Sequence, residues 1–110
     1  MSKCTRLYVC GPVSGREDRN RGAFERARYT LIVAGYDVVT PHDIIPEDAD
    51  DATERDAIMQ RCYDTVSACD GVALLPDWAD SRGATQEVDH ACSQHIPVGY
   101  IEHWVDKGLQ

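Results

Sequence analysis

Leu7-Tyr8-Val9-Cys10-Gly11-Pro12-Val13-Ser14-Gly15 is the stretch on which the fold turns. Its unbroken apolar start reads as a buried strand, and the Gly-Pro step ends it. Downstream, Phe24, Ala27 and Leu31 recur at helical spacing, with Arg19, Arg21, Glu25 and Arg26 among the intervening positions and Gly35 as the stop. A second apolar run, Tyr36-Asp37-Val38-Val39-Thr40, closes on Pro41. Strand, loop, helix, strand in that order is a crossover between parallel strands, and such crossovers are right-handed.

The rest of the chain repeats the alternation. Residues 46–56 are acidic and poor in large apolar side chains, so they read as a solvated loop entering a helix near Thr53. Ile58, Cys62, Val66 and Cys69 mark one face of that helix. Gly71-Val72-Ala73-Leu74-Leu75 is the most hydrophobic strand and is expected at the centre of the sheet. Residues 76–82 form a loop, and Gly83 opens a helix that turns Ala84, Val88, Ala91 and Cys92 to the sheet. Residues 96–101 make the last strand, followed by a short tail with Trp104. The expected fold class is α/β: one domain over residues 1–110, a parallel sheet of four or five strands, and helices on both faces.

Charge narrows the partners. Eleven Lys and Arg against nineteen Asp and Glu give a formal net charge of -8. Such a field repels phosphate backbones within a Debye length of about 8 Å, so polymeric nucleic acid is not expected. A small anion held by backbone N–H groups remains compatible. Five cysteines without a C-x-x-C pair fit neither a disulfide framework nor a zinc site, so no metal is expected and the thiols read as reduced and mostly buried. The start lacks the apolar stretch of a signal peptide, and no apolar run approaches the roughly 18 residues that span a bilayer. A cytoplasmic protein without a membrane partner is the expectation.

In a parallel sheet the ligand crevice lies at the carboxyl ends of the strands, here residues 11–18, 41–50 and 76–83 and whatever follows the last strand. Gly11, Ser14 and Gly15 can let a ligand approach the backbone, or can form a plain turn. Arg16 adds a donor for phosphate or is a surface charge. Glu87, four residues after Gly83, reads as a first-turn residue at the edge of the apolar stripe. There the helix terminus would favour its anion, which suits a nucleophile, or it serves only the helix dipole. Asp77 and Asp80 share the loop after the third strand and are candidate acids or turn residues, whereas Asp70 belongs to the opposite edge. His42, just past the second strand, is the one histidine placed for substrate contact, or is a surface loop histidine. Tyr8 and Trp78 can stack on a base or fill the core.

Together, residues 8–15, then Asn20, Phe24, Ala27, Leu31 and Gly35, then residues 69–78, then Ser81-Arg82-Gly83-Ala84-Thr85-Gln86-Glu87 and Ala91 resemble the small phage-associated branch of the nucleoside 2-deoxyribosyltransferase superfamily, usually labelled a domain of unknown function. That resemblance spans nearly the whole chain, and since neighbouring subunits often complete the pocket in such enzymes, it implies that role for the short tail carrying Trp104. It implies a flavodoxin-like or Rossmann-like fold, homo-oligomers, and cleavage or exchange of N-glycosidic bonds in nucleosides or 5′-nucleotides without a cofactor. It matches the catalytic glutamate to Glu87, and the tyrosine and small-residue loop around sugar and 5′ group to Tyr8, Gly11, Ser14 and Gly15. Arg16, His42, Trp78 and Gly83 are counted with the substrate-binding residues, and Asp77 and Asp80 with the catalytic ones. In related sequences an aspartate stands on the helix before the third strand, where this chain has Cys62. Asp64, the nearest aspartate, is rotated about 200° from Cys62 and is expected to face solvent. Either the register shifts locally or an acid is missing. In the second case the chain is a nucleotide-binding module without turnover. A receiver-like domain would carry an acidic pair after the first strand, where this chain has Cys10-Gly11, and a flavin carrier would have a longer chain and a hydroxyl-rich phosphate loop.

Overall fold

The computed structural model describes residues 5–13, 16–45 and 51–108, with the side chains of residues 51–53 and 108 outside the description. Ser14 and Gly15 and residues 46–50 of the acidic stretch singled out above lie outside the described residues. The chain runs β1 (Arg6–Cys10), a short 3-10 turn (Glu17–Asn20), α1 (Arg21–Val33), β2 (Asp37–Val39), α2 (Pro41–Ile44), α3 (Asp51–Ser67), β3 (Gly71–Leu74), a second 3-10 turn (Trp78–Asp80), α4 (Arg82–Ser93), β4 (Val98–Tyr100) and α5 (Ile101–Gly108). Four strands in the order β2-β1-β3-β4 pair in parallel throughout, with Leu7 opposite both Val38 and Gly71 and Leu74 opposite Tyr100. This is the α/β architecture expected from the alternation, and its strand order is consistent with a flavodoxin-like fold.

The pleat assigns β1 to two layers. Leu7 and Val9 pack with Phe24, Ala27, Leu31 and Trp104 against α1 and α5, while Tyr8 and Cys10 pack with Val66, Val72, Leu74, Ala84 and Ala91 against α3 and α4. All four strand residues are fully buried. Burial on both sides explains the absence of an apolar-polar alternation in this run. Gly35 ends α1 at φ +102, a conformation open to glycine, and its N–H donates to the Ile32 carbonyl.

Several local expectations are corrected. The stretch after β2, read as a loop, opens with α2: Pro41 takes the first helical position, and the Thr40 N–H donates to Asp43 Oδ2 at 2.9 Å. Arg28 ties this turn to α1 through both Asp43 oxygens at 2.6 and 2.7 Å. Helix α4 starts at Arg82, because Ser81 is the cap that accepts from the Ala84 N–H at 3.1 Å. Glu87 therefore sits in the second turn and not the first. Cys92 is exposed and does not face the sheet, while Cys10, Cys62 and Cys69 are buried. The tail is α5, and its Trp104 is 3% exposed, lies against Gly71 and donates from Nε1 to the Val72 carbonyl at 2.9 Å. It is spent on the chain's own core and is not free to complete a neighbour's pocket.

Candidate functional site

Since Tyr8 and Cys10 point to the α4 side, they meet whatever α4 turns inward, and three residues on from Ala84 that is Glu87. Glu87 is 4% exposed. Oε2 accepts from the Tyr8 phenol at 2.6 Å and Oε1 from the Cys10 thiol at 3.3 Å, and the Cys62 thiol on α3 hydrogen-bonds to the same carboxylate. Burial raises the Glu87 pKa, and the three hydrogen bonds oppose that shift. A hydrogen bond to a charged group contributes about 1.5–3 kcal/mol, but thiols are weak donors, and burying an ion costs several kcal/mol. The balance leaves a carboxylate more basic than an exposed one, a property suited to attack on carbon or to proton transfer. This differs from the expectation of an anion favoured by a helix terminus.

The donors stay protonated. Burial and the Glu87 charge push the Tyr8 phenol and the Cys10 thiol well above their usual ranges, and the Cys62 thiol is pushed up to about 12 by the same two causes. Thiols in that state are hydrogen-bond donors and poor nucleophiles.

Glu87 forms part of the lining of a cleft of about 200 Å³ at the carboxyl ends of the strands. Gly11, Val13, Pro41, Ile45, Ile58, Met59 and Cys62 give it apolar walls, and residues 80–84 with Arg19 and Arg55 complete it. Gly11 is required there for packing: a Cβ would lie 2.5 Å from Leu75 Cδ1. Gly83 has room, with Met59 Sδ 3.7 Å from a built Cβ. Arg19 reaches the cleft from a run of three left-handed residues, Asp18, Arg19 and Asn20, at φ 50, 55 and 61. Such a conformation costs about 1–2 kcal/mol per residue, least for Asp and Asn. The Asn20 amide offsets part of it by donating to the Pro12 carbonyl at 2.9 Å.

The remaining candidates fall into three places. Gly11, Asp80 and Gly83 line the cleft. Arg16 is bound to Asp77 at 2.8 Å and Asp80 at 3.5 Å, so the expected phosphate donor and the two expected acids form one ion-pair cluster at the rim. His42 and Trp78 are outside the lining. His42 packs edge-on against Phe24 at 5.0 Å with Nε2 buried and without a hydrogen-bond partner, and its pKa is lowered by burial and by Arg21 and Arg19. Trp78 donates to the Tyr100 hydroxyl at 3.3 Å. Asp70 accepts from the Arg6 N–H at 2.8 Å at the far end of the sheet, and Asp64 is exposed on α3, as their positions predict.

Sequence reasoning did not select Cys10, Arg19, Arg55 or Arg82. Cys10 follows Tyr8 by two, so strand parity alone would place it beside Glu87. Arg55 precedes Ile58 by three and shares its side of α3. Arg19 had no such signal, because its position depends on a left-handed turn that composition does not announce. Among the described residues no three His, Cys, Asp or Glu side chains group as metal ligands, and no helix is long and apolar enough to cross a membrane.

Comparison with known families finds one match, over residues 5–100, to the family described as Domain of unknown function (DUF4406). No curated protein sequence matches. Among solved structures, a conserved protein from Enterococcus faecalis is similar at a TM-score of 0.55 and 24% identity, over 87% of this chain and 62% of that one. This likeness shows the fold alone, and the chain spans about 62% of that protein's length.

Proposed function

The chain belongs to the DUF4406 family, and we propose that it cleaves or exchanges the N-glycosidic bond of a nucleoside or 5′-nucleotide, as an enzyme of the nucleoside 2-deoxyribosyltransferase type. One observation carries the reading: a buried, raised-pKa carboxylate, Glu87, at a cleft and aligned by a phenol and two thiols. A Glu87 oxygen attacks the anomeric carbon, the C–N bond breaks with its electron pair leaving on the base, and a glycosyl ester of Glu87 results. Water, or a second base, then attacks the same carbon and releases Glu87. Asp80, in the cleft lining, is the carboxylate assigned to accept the proton of that water. Asp77 holds Arg16 and acts through it. Tyr8 holds Glu87 and is not itself a stacking surface.

Edge strands β2 and β4, with Tyr29, Ile32 and Val33 exposed on α1, make assembly into a dimer or larger oligomer part of the same proposal. A second reading, a nucleotide-binding module without turnover, is favoured by Cys62, a thiol donor where the related enzymes have an aspartate. A panel of nucleosides and 5′-nucleotides, with free base read by chromatography, separates the two. Glu87→Gln should cut turnover by about a thousandfold or more while ligand binding persists. Undiminished turnover removes Glu87 from the chemistry, and binding with no product from the unmodified protein leaves the module.

A further inference from the structure

We propose that Cys10 is a positioning residue for Glu87: its weak thiol donor leaves Oε1 as the oxygen that attacks, and passes its hydrogen bond to the Ala84 carbonyl once that oxygen is esterified. The attack rests on the function proposed above; the thiol's hold on Oε1 stands on the geometry of β1 and α4.

The two Glu87 oxygens are held unequally. Oε2 accepts from the Tyr8 phenol at 2.6 Å, and Tyr8 is fully buried. Attack from Oε2 would weaken that bond where water cannot replace it, whereas in an ester formed through Oε1 the Oε2 atom is the carbonyl oxygen and keeps its phenol. Oε1 accepts from the Cys10 thiol at 3.3 Å. The same sulfur lies 3.4 Å from the Ala84 carbonyl oxygen, so one S–H hydrogen has two acceptors within reach. Ala84 is the third residue of α4, and its carbonyl has a second lone pair beyond the one the helix uses. When Oε1 gives a lone pair to the anomeric carbon, the C–N bond breaks with its electron pair on the base, which takes a proton from solvent. The carboxyl group then loses its charge, and the thiol loses its reason to favour Oε1. Its hydrogen stays on sulfur and turns to Ala84, so the ester strands no buried donor. Attack by water reverses the move: the water's proton goes to Asp80, and Oε1 recovers its electron pair and its thiol. A hydroxyl at the same place would be the stronger donor and would hold Oε1 back from carbon. Cys10 and Tyr8 act from β1 and stand outside the cleft lining, so neither competes with substrate. Among the described residues, the titratable groups bonded to Glu87 are Tyr8 and Cys10 from β1 and Cys62 from α3, and Arg19, Arg55, Asp80 and Arg82 share its cleft. Burial and the Glu87 charge keep the Cys10 thiol protonated, so it remains a donor wherever Glu87 titrates.

Two readouts on the whole chain test this. Carbon-13 NMR with label at the glutamate Cδ follows the titration of Glu87, its signal assigned by loss in Glu87→Gln, and single-turnover release of free base from nucleosides and 5′-nucleotides follows the attack. Cys10→Ala removes a donor that favours the anion, so the titration midpoint and the acid limb of base release should both rise by about half a pH unit or more. Cys10→Ser supplies a stronger donor, so the midpoint should fall, and base release above the limb should slow by about tenfold. Thermal melts confirm that each variant is folded, and Cys10→Val, which removes the donor but fills the space, replaces the alanine variant if that one does not fold. A midpoint unmoved in Cys10→Ala, or moved the same way in both variants, overturns the proposal, as does a serine variant that releases base as fast as the unmodified protein. Opposite midpoint shifts with no base released from any substrate would sink the glycosidase reading, and the attack with it, and leave the thiol's hold on Oε1. Base release with both midpoints unmoved would sink that hold and leave the glycosidase.

Discussion

The two faces of the sheet share β1 and differ in what they do with it. On the α1 and α5 side, Leu7 and Val9 meet Phe24, Leu31 and Trp104, and the aromatic residues of α5 and the α1–β2 turn have their polar atoms paired, Trp104 Nε1 with the Val72 carbonyl and the Tyr36 hydroxyl with the Trp104 carbonyl at 2.6 Å, while His42 Nε2 beside Phe24 is not. On the α3 and α4 side, Tyr8 and Cys10 meet a carboxylate whose burial raises its pKa. One face therefore stabilises, and the other holds a charge that costs stability. A chain of 110 residues can hold such a charge only because the opposite face is dry and closely packed.

The largest test of this contrast is on the dry face. Trp104→Ala removes a buried indole and leaves Val72's carbonyl without its donor, so unfolding free energy should fall by about 3–5 kcal/mol in urea titrations. At a temperature where the variant is still folded, ligand affinity at the cleft should be unchanged. A loss below about 1 kcal/mol would mean that the α5 layer is not what supports the buried charge.

The dry face was legible in the sequence, because period and apolarity are local and repeat: Phe24, Ala27 and Leu31 announce α1, and the run at residues 7–10 announces β1. The other face was legible only in part. Glu87 was found through its spacing from Gly83, although the start of α4 at Arg82 moved it to the second turn. Trp104 was misread because a short amphipathic segment after the last strand looks the same in sequence whether it packs inward or projects. That Arg19, Arg55 and Arg82 line one cleft was invisible, because they come from three elements that only the tertiary fold brings to it.

Cys62 stands where the two kinds of packing meet: it clusters with Ile45 and Ile58 and hydrogen-bonds to Glu87. Cys62→Asp places a second carboxyl group beside a buried one, and two such groups retain a shared proton or repel. We expect a loss of about 2–4 kcal/mol at neutral pH, largely recovered on acidification, because an uncompensated buried charge is the source of the cost. Thermal melts at both pH values check it. If stability is unaffected and turnover rises by about 10² or more, the thiol is standing in for a missing general acid and not packing as core.

A smaller effect isolates Glu87 itself. Its folded pKa is raised, so between the ordinary glutamate value and the folded one the native state holds a proton that the unfolded chain has lost. That contribution is complete below the ordinary value and disappears as pH rises through the folded value. The unmodified protein should thus lose stability over this window, by about 1.4 kcal/mol per unit of separation. Glu87→Gln should be flat by comparison. Asp43, whose pKa is lowered and which works in the opposite sense, is present in both proteins and cancels in the difference. Parallel pH curves for the two proteins would place the carboxylate in a more solvated setting than its burial indicates.

The smallest expected effect separates the two glycines of the cleft. Gly11 is fixed by Leu75, but a Cβ at Gly83 meets only Met59 Sδ at 3.7 Å and Ser81 Oγ at 3.8 Å, both ordinary contacts, at the second position of α4. Gly83→Ala restricts the unfolded chain without strain in the folded one and should raise unfolding free energy by about 0.4–1 kcal/mol. Its effect on the cleft is then informative in a way that Gly11→Ala, which must disturb Leu75, cannot be. If ligand affinity holds, Gly83 is free of any backbone approach by substrate. If affinity for nucleotides falls while the melting temperature rises, the ligand needs the bare backbone and the free N–H groups at the start of α4.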